Sequence, residues 1–169
     1  MINFQHDILP MKNLIFRTAL RIVLNREEAE DIVQDTLMKL WQKRDELAQV
    51  ANLEAFALAS AHNLAIDRKE KMENRNISLD DTLHDRPDEG LTEGDRLMTQ
   101  QETRRLVADV INSLPEKQRT VIQLRDIEGK NYREIAEVLS ISESDVKVTL
   151  FRARNEVKEK IFQKKSFFL

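Results

Sequence analysis

The sequence predicts an all-α fold, and three observations predict it. Apolar residues recur at helical spacing, and strand-like alternation is absent. Only three Gly and three Pro interrupt 169 residues. Charged residues make up 34% and aromatics 5%, a balance that suits helices with solvated outer faces. The chain has no Cys, which excludes a disulfide scaffold, a thiolate zinc site and a cysteine nucleophile. No apolar run is long enough for a transmembrane helix, and the start MINFQHDILPMKN lacks the basic-then-apolar pattern of a signal peptide. The expectation is therefore a cytoplasmic protein that is not inserted in a membrane.

The elements follow in order. Ile8, Met11, Ile15, Ala19, Ile22 and Val23 share one helical face, with Pro10 in the first turn and the end near Leu24. Asn25 caps a second helix whose first turn is acidic, which suits the positive end of the helix dipole. That helix turns Ile32, Val33, Leu37, Leu40, Trp41 and Leu47 inward and Asp31, Gln34, Asp35, Lys39 and Lys43 outward. Asn52 caps a third helix running to about Glu73, with Phe56, Ala59, Asn63 and Ile66 on one stripe. Residues 78–95, SLDDTLHDRPDEGLTEGD, combine turn residues with like charges and read as a flexible acidic linker. Residues 95–113 resume the helical period. Leu114-Pro115-Glu116 opens a further helix, which Gly129 ends.

The formal net charge of −3, from 27 basic and 30 acidic residues, speaks at first against a nucleic-acid partner. Its distribution removes that objection. Residues 1–75 hold 11 basic and 12 acidic side chains, residues 76–113 hold 4 and 9, and residues 114–169 hold 12 and 9. The acidity belongs to the middle, and the last third is basic. The organisation expected is two small helical domains, 1–75 and 96–169, joined by a linker over 76–95.

The most informative stretch is YREIAEVLSISESDVKVTL, residues 132–150. A helix-turn-helix needs a small residue where its helices touch, apolar residues to hold the crossing angle and a tight turn between. Ala136 supplies the first, and Val146 follows at the usual spacing of ten residues. Ile135, Leu139, Ile141, Val146 and Leu150 supply the second. Ser142 caps the second helix. Ser140 stands where glycine is common, at a cost of about 1 kcal/mol if it must be left-handed. Lys147, Arg152 and Arg154 point outward from the second helix, followed by Lys158, Lys160, Lys164 and Lys165. A basic helix of this kind suits a DNA major groove with phosphates around it. An ordinary helical hairpin with a solvated charged face fits the same pattern.

With these residues in view, SLPEKQRTVIQLRDIEGKNYREIAEVLSISESDVKVTLFRARNEVKEKI, residues 113–161, closely resembles region 4 of bacterial extracytoplasmic-function sigma factors of the sigma-70 family. REEAEDIVQDTLMKLW, residues 26–41, resembles their region 2. NLEAFALASAHNLAIDRKEK, residues 52–71, is similar to the segment that opens promoter DNA. The match covers roughly residues 5–75 and 100–161, in the family's order. The resemblance implies a promoter-specificity subunit: a sigma region 2 helical bundle and a sigma region 4 helix-turn-helix that bind core RNA polymerase and promoter DNA. An anti-sigma factor is a common further partner in this family.

Carried over position by position, the resemblance places Asp31, Gln34, Asp35 and Trp41 on the helix that docks on a coiled coil of core polymerase. Trp41, judged from its apolar neighbours alone, fits the protein's own core equally well. The loop over 46–53 and Asn63 match the elements that capture a flipped base of the −10 element. An amide offers both donor and acceptor to an exposed base edge. Arg68, Lys69 and Lys71 follow as backbone contacts for the displaced strand. Arg119 is expected on a backbone phosphate. Ser142, Ser144, Asp145, Lys147, Val148, Phe151 and Arg152 are expected to face the −35 element, with Lys147 and Arg152 donating to guanine edges or phosphates and Val148 touching a thymine methyl. The segment FALASAH, residues 56–62, departs from the family, which often has an aromatic pair and an arginine there. Base stacking must then come mainly from elsewhere.

The alternative reading is a helix-turn-helix regulator that binds an operator without core polymerase. A catalytic function is not expected, since there is no glycine-rich phosphate loop and no nucleophile–base pair. His6 and His84 lack metal-ligand spacing. No cofactor, metal or small-molecule substrate is expected.

Overall fold

The computed structural model describes residues 1–75 and 99–166. The linker expected over 76–95, the tail 167–169 and His84 lie outside the described residues. Among the described residues every regular element is helical and no strand forms.

The chain enters through a wide turn at Phe4–Ile8 and a tight 3₁₀ turn at Leu9–Met11 that holds Pro10. Helix α1, Lys12–Val23, follows and ends at Leu24, which adopts φ 53°. Asn25 caps α2, Arg26–Gln42, through its side chain, which accepts from the Glu28 amide. The inward series expected to reach Leu47 on one helix is divided. Lys43 breaks the period, and Leu47 is buried from the separate short helix α3, Arg44–Leu47. Asn52 caps α4, Leu53–Asn74. In the second half, Thr99 caps α5, Gln100–Asn112. Helix α6, Glu116–Ile122, runs into a widened turn at Gln123–Ile127. Gly129 then reverses the chain with φ 75°, a conformation that favours glycine. Helices α7, Tyr132–Leu139, and α8, Glu143–Ser166, complete the fold.

Two apolar cores result. The first lies among α1, α2 and α4 and is built on Ile15, Ala19, Ile22, Ile32, Leu40, Ala57, Ala61 and Ala65. The second lies among α5 to α8 and is built on Leu114, Val121, Leu124, Ile135, Val146, Leu150 and Ala153. Leu58 of α4 belongs to the second core, and Leu14 of α1 packs against it. Helix α4 is therefore gripped on two sides, which corrects the single stripe expected from Phe56, Ala59, Asn63 and Ile66. Ala57, Ala61 and Ala65 face the first core, Leu58 faces the second, and Asn63 lies exposed. A helix buried on two faces has no one-sided apolar period to read.

Candidate nucleic-acid interface

Three local devices build the exposed basic face. The first is a capping box on α7. The Asn131 side chain accepts from the Glu134 amide at 2.8 Å, and Glu134 accepts from the Asn131 amide at 3.1 Å. Two otherwise unpartnered amides are satisfied together. The second is the turn. Ser140 adopts φ 57°, its amide reaches the Ala136 carbonyl, and the Ile141 amide reaches the same carbonyl at 3.0 Å. The third is the start of α8, where Ser142 accepts from the Asp145 amide at 3.0 Å. Val146, Leu150 and Ala153 then turn inward against Ile135 and Ala136.

That inward row decides what faces out. Lys147, Val148, Phe151 and Arg152 form an exposed patch on α8 beside Ser142 and Ser144. Val148 is 46% exposed and Phe151 67%, so two apolar side chains stand in solvent between two cations. Lys147 lies 5.6 Å from the centroid of the Tyr132 ring, and the Arg125 guanidinium lies 4.8 Å from the same ring. Asp145 is tied down: its carboxylate accepts from Lys117 at 2.8 Å and from Thr149 at 3.2 Å. The Lys117 hydrogen bond above all holds that carboxyl below its usual range. Arg154, expected among the outward cations, pairs with Asp126, and Lys160 donates to Ser113.

Arg119 is placed differently from the expectation of a phosphate contact. Its side chain is drawn inside, at 6% exposure. It donates to the carbonyl of Leu114 at 2.7 Å and, across the two halves, to those of Arg21 at 2.6 Å and Ile22 at 2.9 Å. In this arrangement its Nε and both terminal nitrogens each donate to a backbone carbonyl.

The N-terminal half presents a second face. Asp31, Gln34 and Asp35 are exposed on α2, together with the apolar Met38. Trp41 is neither core nor free. It is 38% exposed, the Phe4 ring packs edge-on at 5.7 Å, and the Arg44 guanidinium lies 4.0 Å from its centroid. Arg68 on α4 binds Glu28, Asp31 at 2.8 Å and Asp35 at 3.4 Å. Residues expected on two different surfaces are thus joined by one ion cluster. Those contacts, that with Glu28 foremost, keep the Arg68 guanidinium more firmly protonated. Lys69 pairs with Glu73 along the same helix. Asn63 is exposed near the middle of α4, and its neighbour His62 is half-buried. Burial pushes the His62 pKa down, against the pull of Glu116 and a hydrogen bond with Asn63.

Sequence reasoning missed the contacts between the halves. Arg17 binds Glu128 through two hydrogen bonds of 2.7 and 2.8 Å. Arg21 donates to Gln123 and Asn112, each at 2.7 Å. Lys130 pairs with Glu54. One signal was present: Leu58 lies off the apolar stripe assigned to its helix. Gln123 gave none, since a buried amide within an apolar run looks like any surface amide. Among the described residues no group of three His, Asp or Glu could hold a metal ion. No helix among them is long and apolar enough to cross a membrane.

Two family models match successive parts of the chain. Residues 8–75 match the family model of sigma-70 region 2, and residues 104–157 match that of sigma-70 region 4. The chain is 30% identical over 145 residues to the ECF RNA polymerase sigma-E factor of Haemophilus influenzae, covering 82% of this chain and 77% of that one. It is 32% identical over 146 residues to the ECF RNA polymerase sigma factor SigL of Mycobacterium tuberculosis, covering 83% and 78%. The fold is similar to that of the sigma factor RpoE of Bartonella quintana, solved in complex with the anti-sigma factor NepR. The TM-score is 0.69 at 24% identity, over 94% of this chain and 96% of that one. CnrH, solved with the cytosolic domain of CnrY, gives 0.65 at 19%, over 95% and 88%. A regulator acting without polymerase is not favoured, because the region 2 match accounts for the half that such a regulator would use otherwise. With both regions present in order around a helix-turn-helix, the chain belongs to the extracytoplasmic-function sigma factors of the sigma-70 family.

Proposed function

We propose that the two exposed faces divide the work of a sigma factor between them. Asp31, Gln34 and Asp35, with Trp41 at the end of the same helix, dock on core RNA polymerase. Their carboxylates and amide suit a basic partner helix, and Trp41 is held ready by Phe4 and Arg44. Asn63 receives a flipped base of the −10 element, and Arg68 and Lys69 steady the strand around it. Ser142, Ser144, Lys147, Val148, Phe151 and Arg152 read the −35 element, while Asp145 orients the start of that helix through Lys117 and Thr149. The role is one of binding and positioning rather than catalysis, carried out in the cytoplasm where polymerase works.

The observation that carries this reading is the exposed patch of Lys147, Val148, Phe151 and Arg152 on α8. Cations that can reach guanine edges or phosphates flank apolar groups that can meet thymine methyls. The test is run-off transcription with purified core polymerase on a promoter library. Initiation should depend on the added protein and share a −35 and a −10 sequence. Equal transcription without it would sink the reading.

A further inference from the structure

Three carboxylates of α2 converge on one cation of α4. Glu28, Asp31 and Asp35 follow one another at steps of three and four residues, so they stand on one face of α2. Like charges at that spacing repel and push each other toward solvent. The Arg68 guanidinium reaches across from α4 and opposes that repulsion. One terminal nitrogen meets Glu28 and also Asp31 at 2.8 Å, and the other meets Asp35 at 3.4 Å. A planar guanidinium holds its donors in a fixed fork. It therefore sets where its partners stand as well as neutralising part of their charge.

Exposure separates the members of the cluster. The Glu28 and Arg68 side chains are 20% and 21% exposed, whereas Asp31 and Asp35 are 54% and 50% exposed. Glu28 and Arg68 form the enclosed base, and the two aspartates form the outer edge. Arg68 engages the Oδ2 atom of each aspartate. A carboxylate has two accepting oxygens, so the Oδ1 atom of each can still accept from an incoming donor. One cation against three carboxylates also leaves the cluster with two negative charges, and attraction for a basic partner survives. Side chains ordered in advance lose less freedom on docking than mobile ones. Arg68 supplies that order from a neighbouring helix.

Resting on the proposed docking role of Asp31 and Asp35, we infer that Arg68 is a positioning residue of that face, holding the two aspartates in the geometry that core polymerase meets. The role is complete before DNA is present and is additional to a contact with the strand. It acts through the aspartates and needs no contact between Arg68 and polymerase.

Equilibrium and kinetic binding of the full chain to purified core polymerase, without DNA, tests this. Asp31→Asn with Asp35→Asn should weaken binding, which measures the face itself. Arg68→Ala should weaken it by about three- to tenfold, mostly through faster dissociation, at unchanged helicity in circular dichroism. Arg68→Lys, which offers a point charge in place of the fork, should recover part of the loss. The decisive variant combines Arg68→Ala with both aspartate changes in a mutant cycle. With the aspartates already neutral, loss of Arg68 should add nothing. An additive loss would mark a general effect on α2 and α4 and overturn the positioning. Unchanged or tighter binding in Arg68→Ala, with the aspartate pair still weakened, overturns the positioning alone. Parent-like binding by the aspartate pair overturns the docking role of Asp31 and Asp35, and the positioning with it.

Discussion

Ser140 carries a small strain that the turn requires. At φ 57° its side chain crowds the following peptide, a cost of about 1 kcal/mol that glycine avoids. Ser140→Gly should therefore raise the melting temperature by a few degrees in thermal unfolding, with the α8 patch unaltered. Lys147 and Arg152 stand exposed on α8, and under the proposed function they read the −35 element. Replacing either with Ala should weaken holoenzyme binding to a −35 fragment by about 1–3 kcal/mol, measured by anisotropy at fixed salt. If Lys147→Ala left promoter selection untouched, the recognition row would be misplaced. These positions were legible because a helix-turn-helix fixes them by spacing. Once Ala136 and Val146 touch, the outward residues of α8 follow from the helical period. Arg119 was not legible in the same way. Its type and position suit a phosphate, and only the neighbouring end of α1 shows that two carbonyls hold it.

At the scale of elements, the start of α7 depends on its capping box. Asn131→Ala removes the acceptor for the Glu134 amide and should cost about 1 kcal/mol, seen as a lower denaturant midpoint. Helix α4 carries a pH dependence. Burial lowers the His62 pKa below its ordinary 6.5, so the folded state binds a proton at His62 less readily than the unfolded chain does. The stability owed to neutral His62 is complete above that value and declines as the pH falls beneath it. Thermal stability should drop more between pH 7 and 5.5 in the parent than in His62→Gln, and parallel curves would refute this. Helix ends and caps were readable from Asn25, Asn52 and Ser142, because capping is a local reaction between a side chain and amides two or three residues on. The face of α4 was not readable. Its alanines give no strong period, and its second buried side depends on residues about sixty or more positions away.

For the whole molecule, contacts across the seam hold the two halves together. Leu58 contributes buried apolar area worth about 1.5–3 kcal/mol when fully enclosed. Leu58→Asp should part the halves, raising the radius of gyration in solution scattering while circular dichroism keeps its helical signal. A compact particle after this change would show that the polar contacts suffice alone. The net charge of −3 belongs to the same scale. It averages a basic helix-turn-helix, a near-neutral first half and an acidic middle. A protein brought to promoters by polymerase has no need of a strong positive field, which would hold it on DNA elsewhere.

By itself the sequence determined the helical class, the caps, the two regions in order and the outward row of α8. Each rests on residues close in the chain, where spacing translates directly into geometry. The tertiary structure decided which distant side chains meet. It joined Arg68 to Asp31 and Asp35, set Trp41 between Phe4 and Arg44, and drew Arg119 to the end of α1. Arg119 and Arg21 lie 98 positions apart and Arg17 and Glu128 lie 111 apart. A charged side chain at such a distance reads as solvated until the packing of two cores brings its partner within hydrogen-bond reach.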